Sequence, residues 1–340
     1  MSVKNQKLSK DQFVIGSFGS VLLFFVFSIV HFFLFSILNR TTFRSCELSF
    51  PRACASVKAV FFSEESKKMF VNPRIGIRNL GDTCYLNVSL QIFLACHTTR
   101  HYIESATTTM ALMAKLFRHI SSVPMNSVIS PHEFIYSSLS SVFHPCEGQH
   151  DVPEFLLYLL NSVVVDDYVR SLFQHVLSVT TTCDECRKTS LITTKDFLCA
   201  VATTSKHATI QDAITSAQLP HTFERMCDSC TGTSSTQRTR ICPSQVLLVH
   251  IKRFAFDPDT RTTSKLYGTI RISHTLTFAD VSYQLRLVVL HVGDVHGGHY
   301  ICDILDSTGD RISIDDSRTG EIPLARALNV TPYVLMYVRL

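Results

Sequence analysis

Cys84 and His299 are two residues of this 340-residue chain whose types and surroundings suit nucleophilic catalysis. Cys84 follows Asp82 and Thr83, either of which can cap a helix running from Cys84 to about Ala95. A sulfur in the first turn of a helix meets the positive end of the aligned peptide dipoles, which favours thiolate over thiol. Such a nucleophile needs a histidine, which can lie far away in sequence. His299 fits, within Gly297-Gly298-His299-Tyr300, where the glycines let backbone or substrate approach the imidazole. An acceptor must then fix the ring tautomer, and Asp315 or Asp316 follows on the next strand-like segment. Asn79, five residues before Cys84, offers a side-chain amide to a developing oxyanion.

A second constellation is made of cysteines alone. Cys183/Cys186 and Cys227/Cys230 form two C-x-x-C pairs with 40 residues between them. Together they have the ligand count of a tetrahedral four-thiolate zinc site; a redox pair and an accident of composition are the other readings. Twelve cysteines in 340 residues are too sparse for a disulfide scaffold. A zinc site implies a reducing compartment.

The elements that must position these groups change character along the chain. From Gly76 to about residue 178 the pattern is helical. Asp151-Val152-Pro153-Glu154 announces a second helix, with an N-cap Asp, an early Pro and a Glu at the third helical position. Beyond the cysteine pairs come strand-like segments at Val246–Arg253, Tyr283–Val292, His299–Ile304, Arg311–Ile314 and Pro332–Arg339. Helices first and strands later predict an α+β domain, not a doubly wound one.

Several of these segments together resemble the ubiquitin-specific proteases. Gly76-Ile77-Arg78-Asn79-Leu80-Gly81-Asp82-Thr83-Cys84-Tyr85-Leu86-Asn87, continued by Leu90-Gln91, is similar to that family's Cys box. Gly148-Gln149-His150-Asp151 resembles its Gln-Gln-Asp box, with His150 in place of the second Gln. Val249-His250-Ile251-Lys252-Arg253-Phe254 looks like its His-Leu-Lys-Arg-Phe strand, and Gly298-His299-Tyr300 its His box. Ile314-Asp315-Asp316-Ser317 is similar to its closing acidic motif, and Tyr333-Val334-Leu335-Met336-Tyr337 to its last strand. The chain has no Trp, and Arg311 stands where the family often has one.

The resemblance covers residues 74–340 and implies a papain-like fold of thumb, palm and zinc-bearing fingers, the fingers at roughly residues 175–245. It implies Cys84 as nucleophile, His299 as base, Asp315 as the group orienting it, Asn79 as oxyanion donor and Asp316 as an auxiliary. Gln149 and Asp151 are expected to meet the basic ubiquitin tail. Cys183, Cys186, Cys227 and Cys230 would hold a structural Zn2+, with no cofactor for catalysis. The implied activity is hydrolysis of the bond after the ubiquitin C-terminal Gly through an acyl-thioester. A catalytically inactive, membrane-tethered ubiquitin-binding module is the alternative.

The charge is unevenly placed. Residues 1–58 hold seven Lys and Arg against two Asp and Glu, a net +5, while the remaining residues carry −1. That balance gives no basic stripe for nucleic acid. Between the tail 1–12 and a linker 39–73 lies a 26-residue segment, 13–38, without Asp, Glu, Lys or Arg. As a helix it would reach about 39 Å, more than the roughly 30 Å of a bilayer core. It reads as a transmembrane helix; a membrane hairpin or interfacial segment, a signal peptide and a core helix are the alternatives. Lysines flank one end and arginines the other, so charge does not orient it. Ubiquitin conjugates put the catalytic domain in the cytosol, with the anchor in the mitochondrial outer membrane or the endoplasmic reticulum.

Overall fold

A computed structural model describes residues 74–107, 110–139, 143, 148–164, 166–203, 207–305, 311–322 and 331–340. The expected tail 1–12, anchor 13–38 and linker 39–73 lie outside the described residues. Among the described residues, no helix is long and apolar enough to cross a membrane.

The helices are α1 (Cys84–Ala95), α2 (His97–Ser105), α3 (Ala111–Ser122), α4 (His132–Ser138), α5 (Val152–Tyr158), α6 (Asp167–Phe173) and α7 (Ile210–Gln218). The strands run β1 (Gly76–Ile77), β2 (Val128–Ile129), β3 (His175–Cys183), β4 (Thr189–Asp196), β5 (Leu198–Ala202), β6 (His221–Glu224), β7 (Ser234–Cys242) and β8 (Val246–Lys252). They continue with β9 (Phe254–Asp257), β10 (Thr262–Lys265), β11 (Thr275–Phe278), β12 (Val281–Gly293), β13 (Gly298–Leu305), β14 (Arg311–Asp315), β15 (Arg318–Glu321) and β16 (Pro332–Arg339).

The main sheet has the order β15-β14-β13-β12-β16-β8-β5, with β11 also paired to β12. Alternation along its strands supplies two apolar faces. Val246 and Leu248 of β8 join the cluster packed with the helices, while Leu247, Val249 and Ile251 join a cluster on the other face. That second face is covered by Ile210, Ala213 and Ile214 of α7 and by Leu276 and Phe278 of β11. Each such Val, Leu or Ile taken out of water contributes about 1.5–3 kcal/mol before chain entropy is counted, so both faces need cover.

A separate antiparallel sheet, β4-β3-β7-β6, carries the cysteine pairs. Two expectations change here. The helical pattern ends before residue 178, because the Val- and Thr-rich β3 is already extended from His175. The span 175–245 is also not one unit, since β5 leaves it to pair in parallel with β8 and α7 packs on the main sheet.

Candidate active site

Helix α1 is buried on every side from Cys84 to Leu94, which places it inside the domain. Its polar side chains find backbone partners. Gln91 Nε2 donates to Ile75 O at 2.8 Å and Asn87 Nδ2 to Ile77 O at 3.1 Å, tying β1 to the helix. Gly76 is needed in β1 because a Cβ there would lie 2.7 Å from the Ser317 carbonyl oxygen. Thr83 is the N-cap residue, yet its side chain makes no capping bond. Its Oγ1 donates to Asn79 Oδ1 at 3.1 Å and accepts from Leu80 N at 2.9 Å. Asn79 Oδ1 also accepts from the Gly81 and Thr83 amides at 3.1 Å each, so Asn79 shapes the loop that presents Cys84.

Cys84 is the first residue of α1 and 3% exposed. Burial pushes its thiol above the ordinary value; the Tyr300 amide opposes this, the Asp316 carboxylate adds to it, and the Tyr85 and Cys84 amides oppose it. The thiolate expected from the helix start is therefore corrected: the amides pull in that direction, and desolvation outweighs them. The Tyr300 N–H beside Cys84 also locates His299, the preceding residue of β13.

His299 Nε2 bonds Asp315 Oδ1 at 2.6 Å and lies 3.8 Å from Asp316 Oδ2. Asp315 ends β14, the strand next to β13, so the sheet itself sets this pair. With Nε2 taken, Nδ1 is the ring nitrogen left for chemistry. Asp316, close to the same ring, spends its bonds elsewhere. Its Oδ2 accepts from Asn79 Nδ2 at 2.8 Å, its Oδ1 from Asn87 Nδ2 at 2.7 Å, and its carbonyl from Ile77 N at 2.8 Å.

Gln149 and Asp151 brace the same strand. Gln149 Oε1 accepts from Gly298 N at 2.9 Å. Asp151 Oδ1 accepts from the hydroxyls of Tyr300 at 2.9 Å and Tyr333 at 2.8 Å, and burial raises its carboxyl despite them. Asp151 is the N-cap residue of α5, but its side chain makes no capping bond because the tyrosines have it. His291, an alternative base by position, is otherwise engaged: Lys265 Nζ bonds its Nδ1 at 2.9 Å. Burial and then Lys265 lower the His291 ring to about 4. Lys265 also donates to the carbonyls of His291 and Gly293 at 2.8 Å each, steadying the turn before His299. Gly298 is required there, since a Cβ would collide with His291 Nε2.

In the second sheet, the Cys183 and Cys230 sulfurs are 3.7 Å apart, as are those of Cys186 and Cys227, and all four lie within 4.8 Å of one another. A tetrahedral ion with arms of about 2.3 Å has edges of about 3.8 Å, so the sulfur set fits zinc. Amides of Ser229 and Gly232 point at Cys227 and Cys230 sulfurs at 3.4 and 3.3 Å, as suits thiolates.

The structure thus gathers Cys84, His299, Asp315, Asn79, Asp316, Gln149 and Asp151 around β13, and the four cysteines elsewhere. Asn87, Lys265, Tyr300 and Tyr333 join the first group without having been expected. Asn87, Tyr300 and Tyr333 lie inside the resembling motifs, but spacing alone gives them no role.

Residues 75–337 match the family described as ubiquitin carboxyl-terminal hydrolase. "Ubiquitin carboxyl-terminal hydrolase 4" of Arabidopsis thaliana is 25% identical over 293 residues, covering 66% of this chain and 79% of that one. "Ubiquitin carboxyl-terminal hydrolase 23" of the same plant is 25% identical over 304 residues, covering 78% of this chain and 35% of that one. The chain thus spans about a third of that longer relative. A solved SAGA DUB module bound to monoubiquitin aligns with a TM-score of 0.67 at 18% identity, covering 85% of this chain and 74% of that one. That likeness concerns the fold, which is of mixed helix and sheet. By the extent of the family match, this chain belongs to the ubiquitin carboxyl-terminal hydrolase family.

Proposed function

We propose that the chain is a thiol-dependent deubiquitinase that hydrolyses the peptide or isopeptide bond after the ubiquitin C-terminal Gly. The observation that carries this reading is the 2.6 Å His299–Asp315 bond on the strand whose next amide, of Tyr300, meets the Cys84 sulfur. His299 Nδ1 takes the Cys84 proton as the sulfur attacks the glycine carbonyl carbon. Asp315 holds the ring and stabilises the imidazolium. The Asn79 amide has a second hydrogen beyond the one given to Asp316, and that hydrogen meets the oxyanion. Collapse passes the His299 proton to the leaving amine. A water that gives its proton to His299 then cleaves the thioester, freeing the ubiquitin carboxylate and the thiol.

Gln149 and Asp151 line the approach of the basic tail, Gln149 by fixing Gly298 and Asp151 by its charge. Cys183, Cys186, Cys227 and Cys230 hold a structural Zn2+ that staples the fingers and takes no part in the reaction. Residues 13–38 anchor the chain by a single span, with the catalytic domain facing the cytosol, in the mitochondrial outer membrane or the endoplasmic reticulum. The absence of charge over those 26 residues supports the anchor.

The test uses the full chain in detergent and a ubiquitin probe with a C-terminal electrophile. A covalent adduct that disappears in Cys84→Ala is expected. Reversible binding without an adduct would make the chain a binding module. For the anchor, the intact chain should stay with membranes through alkaline carbonate, and a chain lacking 13–38 should be released.

A further inference from the structure

Asn87 lies three residues past Cys84 in α1 and is 2% exposed. Its Nδ2 spends both hydrogens, on Ile77 O at 3.1 Å and on Asp316 Oδ1 at 2.7 Å. That orientation is forced, because a flipped amide would set an oxygen against two acceptors. Its own Oδ1 is buried and accepts nothing. Asn87 thus carries one unsatisfied acceptor of its own while supplying donors to two others. The penalty comes with one long-range bond, to Asp316.

Asp316 has little freedom of its own to organise. Its φ of 51° is a left-handed backbone that non-glycine residues rarely adopt, and its carbonyl is tied to Ile77 N. Its carboxylate is stretched between two amides, with Asn87 on Oδ1 and Asn79 on Oδ2. Asn79 has its oxygen fully committed to the Gly81–Thr83 loop, so only the direction of its Nδ2 remains to be set. Asp316 sets it, and Asn87 sets Asp316.

We infer that Asn87 is a positioning residue for the reaction: it fixes the Asp316 carboxylate and, through it, aims the Asn79 amide at the oxyanion. This rests on the deubiquitinase reading of the same site. Asn87 touches neither substrate nor the reacting sulfur. Its effect therefore belongs in the chemical step and not in ubiquitin binding.

The experiment is a double-mutant cycle in the full chain, with a ubiquitin carrying a fluorogenic amide at its C-terminus. Asn87→Ala and Asp316→Ala should each lower kcat by about 10-fold or more with KM within about 2-fold, and the double variant should be no slower than the slower single one. Multiplied losses would overturn the inference, as would a loss confined to KM. Asn87→Asp, which keeps the shape, covers the case where Asn87→Ala does not fold. Ionised, its carboxylate repels Asp316 and donates nothing; protonated, it donates again. Its kcat relative to wild type should therefore rise as pH falls from about 8 to about 6, and a flat ratio would overturn the inference. A wild-type chain with no turnover would instead overturn the deubiquitinase reading and this inference with it.

Discussion

Asp315 and Asp316 are neighbours in the chain and bond different residues of the site, the first His299 on the sheet at 2.6 Å, the second Asn79 in the loop before Cys84 at 2.8 Å. The left-handed turn at Asp316 makes this possible, because an extended backbone would not let two successive carboxylates both reach inward. One short segment therefore holds both His299 and Asn79, the base and the oxyanion donor of the proposed reaction.

Asp315→Asn tests the first half of that arrangement. An amide oxygen keeps the shape but cannot stabilise an imidazolium by charge, so kcat should fall by about 100-fold or more. Thermal unfolding should move little, because the His299 and Asp315 side chains are both 38% exposed. An unchanged kcat, measured with the fluorogenic ubiquitin, would give the orienting task to Asp316.

Cys84 offers a pH prediction. Burial raises its thiol above the ordinary range, so thiolate is scarce at neutral pH and grows as pH climbs. Without ubiquitin, alkylation of Cys84 by iodoacetamide at pH about 7.5 should be slower than that of free cysteine, whose thiol titrates near about 8.5. The rate should still be rising above pH about 9. Mass spectrometry of the modified peptide reads it, and a rate flat above pH about 7 would contradict the burial.

Asp151→Asn should separate stability from function. Burial raises the carboxyl in the folded state, so the native chain binds protons more tightly than the unfolded one. Stability is then fullest below the unfolded value, about 3.9, and is lost as pH rises through the folded one. An amide still accepts from Tyr300 and Tyr333 and carries no such penalty. The variant should melt about 2–5 °C higher at neutral pH, with the gain vanishing near pH about 4. Its KM for ubiquitin should rise by about 10-fold, as loss of the proposed charge contact with the basic tail requires.

Zinc is checked by composition. The purified chain should contain about one equivalent, and Cys183→Ser or Cys230→Ser should release it and lower the melting midpoint by about 5 °C or more. Elemental analysis finding none in the wild-type chain would reject the four-thiolate site.

Much of the frame was legible in the residues. The helix from Cys84 ends at Ala95 as read, and β16 has the expected bounds, Pro332–Arg339, where the uninterrupted apolar run from Tyr333 to Val338 leaves few alternatives. The caps were read less well. Thr83 and Asp151 stand at the N-cap positions, but the loop and the sheet tyrosines claim their side chains, a tertiary choice invisible to local spacing. The same holds for Asn87 and Asp316, 229 residues apart, whose bond exists only after the helix has settled on the sheet. The early start of β3 was missed because half-buried Thr and Val carry little periodic signal.

Finally, the cysteine-bearing sheet and the main sheet share no hydrogen-bonded ladder among the described residues. Fraying that begins at the cysteine pairs has no run of paired strands along which to reach His299. A lineage of such chains is free to reshape what it grasps while leaving the blade untouched.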